Sequence, residues 1–364
     1  MFSLHDNTRI AWCRLAFVAL CLLPTCGVVA WCVAVRGPGY RETHERAIHD
    51  ALGWHARLQG VGLPRPGMTL YQGLEVSDAE SGQLLAHAPF LEIESDGGAT
   101  AVTLPFPATI NGLRLDALLR SAERLLRLAD RAGEATLSAH NVTLHSSGGD
   151  HTLTNVSGRL QRDADGKRLT LSFALAGATK DASPTASPAQ VEMLLAAPGD
   201  AAAPCSVKFT TGGTPLPCAL IGSYWPAAGR LGAACTFDGR ITATRRAGQW
   251  RLEMSGQLRA VDLARLLEPF PHKLTGTADI HIEHATVVDG RLENATGKLV
   301  AGPGVISRSL VHAAQQHLGL EPSRTALSGR DNRLEYRQLN LAFAVDEQGL
   351  ALRGEFPKAA GAIL

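Results

Sequence analysis

The stretch KRLTLSFALAG at 167–177 alternates its side chains with a period of two. Leu169, Leu171, Phe173 and Leu175 fall on one side of an extended chain, and Thr170, Ser172 and Ala174 on the other. At the 3.6-residue period of a helix the same residues would scatter around the cylinder, so only a strand separates them. The pattern recurs in Val191, Met193 and Leu195, in Leu252, Met254 and Leu258, in Ile280 and Ile282, and in Leu339, Leu341, Phe343 and Val345. Gly- and Asp-rich turns separate the runs, and 37 glycines supply them. Strands of this kind need one apolar and one wet side. The chain therefore reads as mainly β with helices (α+β): a curved antiparallel β-sheet or β-groove with a few packing helices.

A second feature sets where the sheet is built. Leu15–Val35, LAFVALCLLPTCGVVAWCVAV, has 21 residues and no charge. At about 1.5 Å per residue such a helix spans the ~30 Å hydrocarbon layer. Pro24 is tolerated in a membrane helix, and Trp12 and Trp31 lie near the ends, where amphipathic rings sit. A cleaved signal peptide is the rival reading. The run is longer than a usual signal core, and no A-x-A site follows it. The segment is expected to be a single-pass transmembrane helix. Arg9 and Arg14 precede it, and Arg36, Arg41 and Arg46 follow. The charge count leans against export of the body, but it governs long following domains weakly.

The organisation follows from these signals. Residues 1–14 are a short tail, 15–35 the span and 36–60 a juxtamembrane helix, with Ile48, Ala51, Leu52, His55 and Leu58 at helical spacing. A first β-rich unit covers 61–178. In it Met68, Leu70, Leu74 and Val76 precede a turn at 78–82, and Leu91 and Ile93 alternate with Glu92 and Glu94. An amphipathic helix is expected at 116–131, apolar at Leu118, Leu119, Ala122, Leu125, Leu126 and Ala129, and basic opposite. A Ser/Pro loop at 179–189 leads to a second unit, 190–364. There 247–258 and 289–299 echo each other at a spacing of roughly 42 residues, a range typical of repeated units. Asp262 is the expected N-cap of DLARLLEP, and a helix is expected over 304–318.

Charge is nearly balanced at +1, so nothing suggests a nucleic-acid surface and no nucleic-acid partner is expected. Nucleophile elbows, Walker loops, dinucleotide fingerprints and H-E-x-x-H are missing, so no catalytic residue, metal ligand or cofactor is assigned. The nearest to a ligand set is DIHIEH, with Asp279, His281 and Glu283 on one strand face, which reads as a solvated face. Asn141, Asn155 and Asn294 begin glycosylation-type triplets. Cys205, Cys218 and Cys235 lie in the body, with spacings that fit no zinc pattern. They allow one disulfide at most, or buried free thiols.

The order of parts resembles the AsmA-like family of membrane-anchored envelope proteins, which includes AsmA and TamB. The resemblance rests on residues 45–94, ERAIHDALGWHARLQGVGLPRPGMTLYQGLEVSDAESGQLLAHAPFLEIE, which read helix, strand, turn, strand, hairpin turn, strand. LTGTADIHIEHATVVDGRLENATGKL at 274–299 is similar to that family's Gly-spaced strands. The resemblance implies a β-groove that binds or transfers lipid between membranes or assists outer-envelope biogenesis. It also implies an inner-membrane anchor, a periplasmic body and envelope protein partners. On that reading Leu171, Phe173, Leu252, Met254, Ile280 and Ile282 form one surface that contacts acyl chains. The alternative from the residues themselves is a non-enzymatic scaffold or assembly factor with a closed β core.

Overall fold

A computed structural model describes residues 6–78, 82–111, 122–126, 133–146, 149–163, 166–177, 187–196, 205–222, 226–246, 249–318 and 333–354. Strands account for 60% and helices for 23%, so the chain is mainly β with a few helices, in one large curved mixed sheet. The apolar N-terminal segment is helical throughout: α1 (Asp6–Phe17), a π-helical stretch (Val18–Leu22) and α2 (Leu23–Arg36). The π stretch stands just ahead of Pro24. A proline has no N–H to give and crowds the preceding turn, and the wider turn absorbs the mismatch. Ile10–Val33 is long and apolar enough to cross a membrane, and none of it is buried against the rest of the chain.

α3 (Pro38–Leu52) follows directly. Pro38 suits the first helical position, and Gly53 ends the helix in the left-handed conformation at φ 71°. The helix therefore stops earlier than its apolar spacing suggested. His55, expected on it, opens β1 (His55–Arg57). Then come β2 (Gly60–Arg65), β3 (Met68–Ser77), β4 (Leu84–Asp96), β5 (Ala99–Leu104) and β6 (Ala108–Asn111). β1 and β2 both pair with β3, and β5 and β6 both pair with β4, so each couple shares one strand position. In β3 Tyr71 and the expected Val76 are buried; Leu70 is half-buried and faces Glu92 on the other side from Tyr71.

β7 (Glu134–Ser146) lies parallel to β5 and β6. Parallel neighbours need a crossover, and the segment 112–133 provides it. The helix expected at 116–131 falls here. Its described part is α4 (122–126), and the remainder lies outside the described residues. From β7 the sheet is an antiparallel meander through β8 (Gly149–Asp163), β9 (Gly166–Leu175), β10 (Ala189–Ala196) and β11 (Cys205–Thr210). β9 and β10 pair along their length, so the sheet continues across the Ser/Pro loop, of which 179–186 lie outside the described residues.

β11 and the short β12 (Leu216–Pro217) share one edge of β13 (Thr236–Arg246). α5 (Cys218–Gly222) and α6 (Pro226–Gly229) lie between β12 and β13. β14 (Gln249–Asp262) runs into α7 (Leu263–Leu266), where Asp262 accepts from the backbone N–H groups of Ala264 and Arg265 as the expected N-cap. β15 (Thr277–Val288) and β16 (Arg291–Ala301) form a hairpin turning at Asp289–Gly290, both with positive φ as that turn requires. The two echoing segments are thus β14 and β16, the second strands of successive hairpins. β17 (Gly304–Ser307) is a strand where a helix was expected, because it pairs with the distant β18 (Arg333–Tyr336). The helix itself, α8 (Arg308–Leu318), starts after it. β19 (Leu339–Asp346) pairs with β16, and β20 (Gly349–Gly354) completes the order.

Glycines and bulges bend this sheet. Gly239, Gly256 and Gly297 stand in one cross-strand row with Ile282. A Cβ on Gly239 would meet the Ser255 carbonyl oxygen at 2.3 Å, and one on Gly297 would meet that of His281 at 2.3 Å. Backbones that approach this closely exclude any other residue. Register shifts beside the row, at Met254/Gly256 and Ile282/His284, add local twist.

Candidate functional site: one apolar sheet face

Strand register decides which side chains share a face. One row of directly paired residues runs Ile93, Val102, Leu137, Gly158, Leu171, Val191, Phe209, Ile241, Met254, Ala285, Ala295, Val345, from β4 to β19. The adjoining row on the opposite face runs Thr136, Arg159, Thr170, Glu192, Lys208, Thr242, Glu253, Thr286, Asn294. The sheet is thus one-sided across most of its width. On the polar face Arg168 pairs with Glu192 at 3.1 Å, and Arg159 with Glu134 at 2.6 Å.

All six residues expected on the apolar surface lie on this face. Leu171 and Met254 are in the row itself. Phe173 and Leu252 stand two positions along from them. Ile282 opposes Gly256, and Ile280 opposes Leu258. The bulge at Glu283–His284 is what keeps the face continuous. Both of those residues are exposed, whereas Ile282 and Ala285 on either side are buried. A regular alternation from Ile282 would have turned Ala285 outward.

The six do not share one environment. Phe173 packs with Leu104, Ile110, Leu144, Val156 and Leu175 around Ala139, Val142 and Leu153. Met254, Ile280 and Ile282 join Phe237, Leu258, Val261 and the Cys218–Cys235 disulfide. Leu171 and Leu252 are half-buried and belong to neither cluster. The disulfide resolves the cysteine alternatives. Cys218 follows β12 and opens α5, Cys235 precedes β13, and the bond closes the loop carrying α5 and α6. Spacing alone could not choose this pair over Cys205, which is buried and free.

Helices cover the face unevenly. In α4, Leu126 is fully buried on Met193 and Cys205, with Ala122, Leu160, Leu169, Leu195, Val207 and Trp250 around it. Glu123 pairs with Arg245 at 3.6 Å, and Arg124 donates to the Leu52 carbonyl at 2.9 Å, joining α4 to the end of α3. Burial, and then the Glu123 carboxylate, push the Cys205 thiol up, with the Arg245 guanidinium opposing. α3 lies over β3, where the His44 ring nitrogen and the Tyr71 hydroxyl are 2.9 Å apart. Among the described residues α8 meets β17 and β20 and does not enter the cluster that holds Met254, Ile280 and Ile282.

Among the described residues the remaining polar candidates form no metal-binding group. Asp279 accepts from the Ala260 N–H at 3.0 Å, fixing a residue with φ 56° at a β14 bulge. His281 and Glu283 face outward beside it. Asn155 sits at a bulge in β8 with φ 52°, a conformation asparagine tolerates, and the Asn294 side-chain oxygen is buried. His312 is exposed, and the His317 side chain lies outside the described residues. Sequence reasoning missed Tyr71, whose partner is 27 residues away. It also missed Phe209 and Ile241, whose strands carry charged and polar residues among the apolar ones. No family model, curated protein or solved structure matches this chain.

Proposed function

We propose that the chain is a membrane-anchored binding module of the AsmA-like kind, whose apolar sheet face holds lipid acyl chains and passes them on during envelope biogenesis. The observation that carries this reading is the unbroken apolar row from Ile93 to Val345. An acyl chain needs a long, featureless, water-excluding strip and few hydrogen bonds. A face with this composition and polar residues behind it offers that. The role is binding rather than catalysis, because the side chains that line the strip are aliphatic and aromatic.

The helix Ile10–Val33 is the anchor, in the inner membrane, with the body on the periplasmic side. The Cys218–Cys235 bond supports that side, since disulfides persist in oxidising compartments and cytosolic thiols stay reduced. Protein partners at the distal end fit the same role.

A scaffold with a closed core is the second reading. The cluster around the disulfide favours it for β13–β16, where Phe237 and Val261 are fully buried. The test is Leu171→Asp in the purified full-length protein, with lipid extraction and mass spectrometry beside a thermal melt. Leu171 is half-buried and outside the clusters, so a ligand-facing role predicts loss of co-purified lipid with a nearly unchanged melt. If Leu171 faces a closed core, the substitution buries a charge at a cost of several kcal/mol and the protein unfolds. Absence of lipid from the unsubstituted protein would favour the scaffold.

A further inference from the structure

We propose that the β2–β3 hairpin is a membrane-contact element that sits in the headgroup layer beside the anchor, with Leu63 as its apolar contact. The inference rests on the anchor spanning a bilayer, and not on lipid occupying the sheet face. β2 approaches α2 as well as α3, so this edge of the sheet lies beside the helix that carries the apolar span. The 24 residues of Ile10–Val33 make a helix of about 36 Å, against a ~30 Å hydrocarbon layer. The C-terminal end of the span therefore lies at the layer's boundary, and whatever touches it there lies in the headgroups. Only a short link separates that end from α3: Gly37 breaks the helix at ψ 153° and Pro38 restarts it.

The residues presented at this level suit such a place. Leu63 is 41% exposed on an edge strand, and Pro64 and Pro66 are exposed on either side of Arg65. On the anchor side Val28, Val29 and Val33 are exposed and, with Cys32 and Gly37, line a cleft. Trp31 is exposed near the same end, and Tyr40 opens α3. Aromatic rings and prolines beside an apolar edge match the chemistry of a bilayer interface. The edge needs a cover too. A free strand edge at a sheet's end invites pairing, and prolines in a headgroup layer discourage it.

The test uses the full-length protein in phosphatidylcholine vesicles, with p-benzoylphenylalanine placed singly at Val28, Leu63, Leu171 or Leu350. Leu350 is an equally exposed leucine on β20, at the opposite edge of the sheet. Irradiation and intact-mass measurement should give a phospholipid adduct at Val28 and Leu63 and none at Leu350. An adduct at Val28 without one at Leu63 overturns the proposal, as does an equal adduct at Leu350. No adduct at Val28 removes the anchor and the proposal with it. The Leu171 position reports separately on the sheet face: lipid there but not at Leu63 would sustain the carrier reading and defeat this one.

Discussion

The two halves of the sheet bury the same apolar face by different means. From β1 to β11 helices brought in from elsewhere in the chain cover two places, α3 over Tyr71 and α4 over Met193 and Cys205, while Ala139, Val142 and Leu153 are enclosed by side chains of the strands themselves. From β12 to β16 it comes from the loops between neighbouring strands, fastened by the Cys218–Cys235 bond and packed under Phe237, Val261 and Leu258. The first arrangement leaves Leu171 and Val191 half-buried between its covers, whereas the second encloses Ile282, Ala285 and Ala295. A continuous row of apolar residues is thus a property of strand register, while enclosure is a property of what the connections do. On the proposed reading the exposed part of the strip belongs to the first half, and the second half is its enclosed end.

The largest expected effect tests the enclosed half. Phe237→Ala removes a ring that is 1% exposed and packs among Cys218, Cys235 and Leu258. Such a cavity costs about 3–5 kcal/mol. Denaturant unfolding should report a loss of this size, and a loss below about 1 kcal/mol would mean the half is not a packed core. The disulfide comes next. Replacing Cys218 and Cys235 together with Ser frees a 17-residue separation, for which chain entropy gives about 3 kcal/mol. Amide exchange should rise in β12–β14 and stay unchanged in β3–β5. Uniform acceleration across both halves would show that they unfold as one unit and erase the distinction drawn above.

Leu126→Ala addresses the helix-covered half. Leu126 is fully buried, but most of its described neighbours are only half-buried and can close the gap, so the cost should fall near the low end for Leu→Ala, about 2 kcal/mol. Exchange should rise in β9–β11, while Arg124 loses its hold on the Leu52 carbonyl. If the variant instead destabilises β13–β16 equally, the covers of the two halves are coupled.

How much of this was legible in the sequence follows the same division. Alternation identified the strands and the shared face of Leu171, Phe173, Leu252, Met254, Ile280 and Ile282, because period-two patterning is a local property. Asp262 as an N-cap was legible for the same reason. What depends on partners far along the chain was not. The parallel seam between β5 and β7 follows from a crossover that no local pattern announces. β17 read as helix because its partner strand begins at Arg333. The bulge at Glu283–His284 preserves the face by breaking the very alternation used to find it. The choice of Cys218–Cys235 over Cys205 is settled by β12 and β13 lying side by side. The helix boundaries of α3 were readable from Pro38 and Gly53, but the apolar spacing was followed past that stop.

The smallest expected effect concerns the contact between α3 and the sheet. The His44 ring lies 4.7 Å from the ring of Tyr40 and 5.5 Å from that of Tyr71, and its nitrogen meets the Tyr71 hydroxyl. Arg41 and Glu45, on the adjoining turns, pair with each other at 3.7 Å. Burial lowers the His44 pKa from its ordinary 6.5, because the charged imidazolium is less well solvated there. The unfolded chain therefore takes up this proton at a higher pH than the folded one. The stability that His44 contributes is fully present above 6.5 and is lost as pH falls from 6.5 towards the lowered native value, below which it levels off. His44→Gln removes the titration while keeping a group that can bond Tyr71. On acidification from about pH 7.5 to about pH 5.5 the unsubstituted protein should lose more thermal stability than the variant, by a small margin since the ring is only partly buried. Parallel loss in both proteins would show that His44 titrates freely and that α3 is not pressed onto Tyr71. The helix-covered half would then have one helical cover, α4, instead of two.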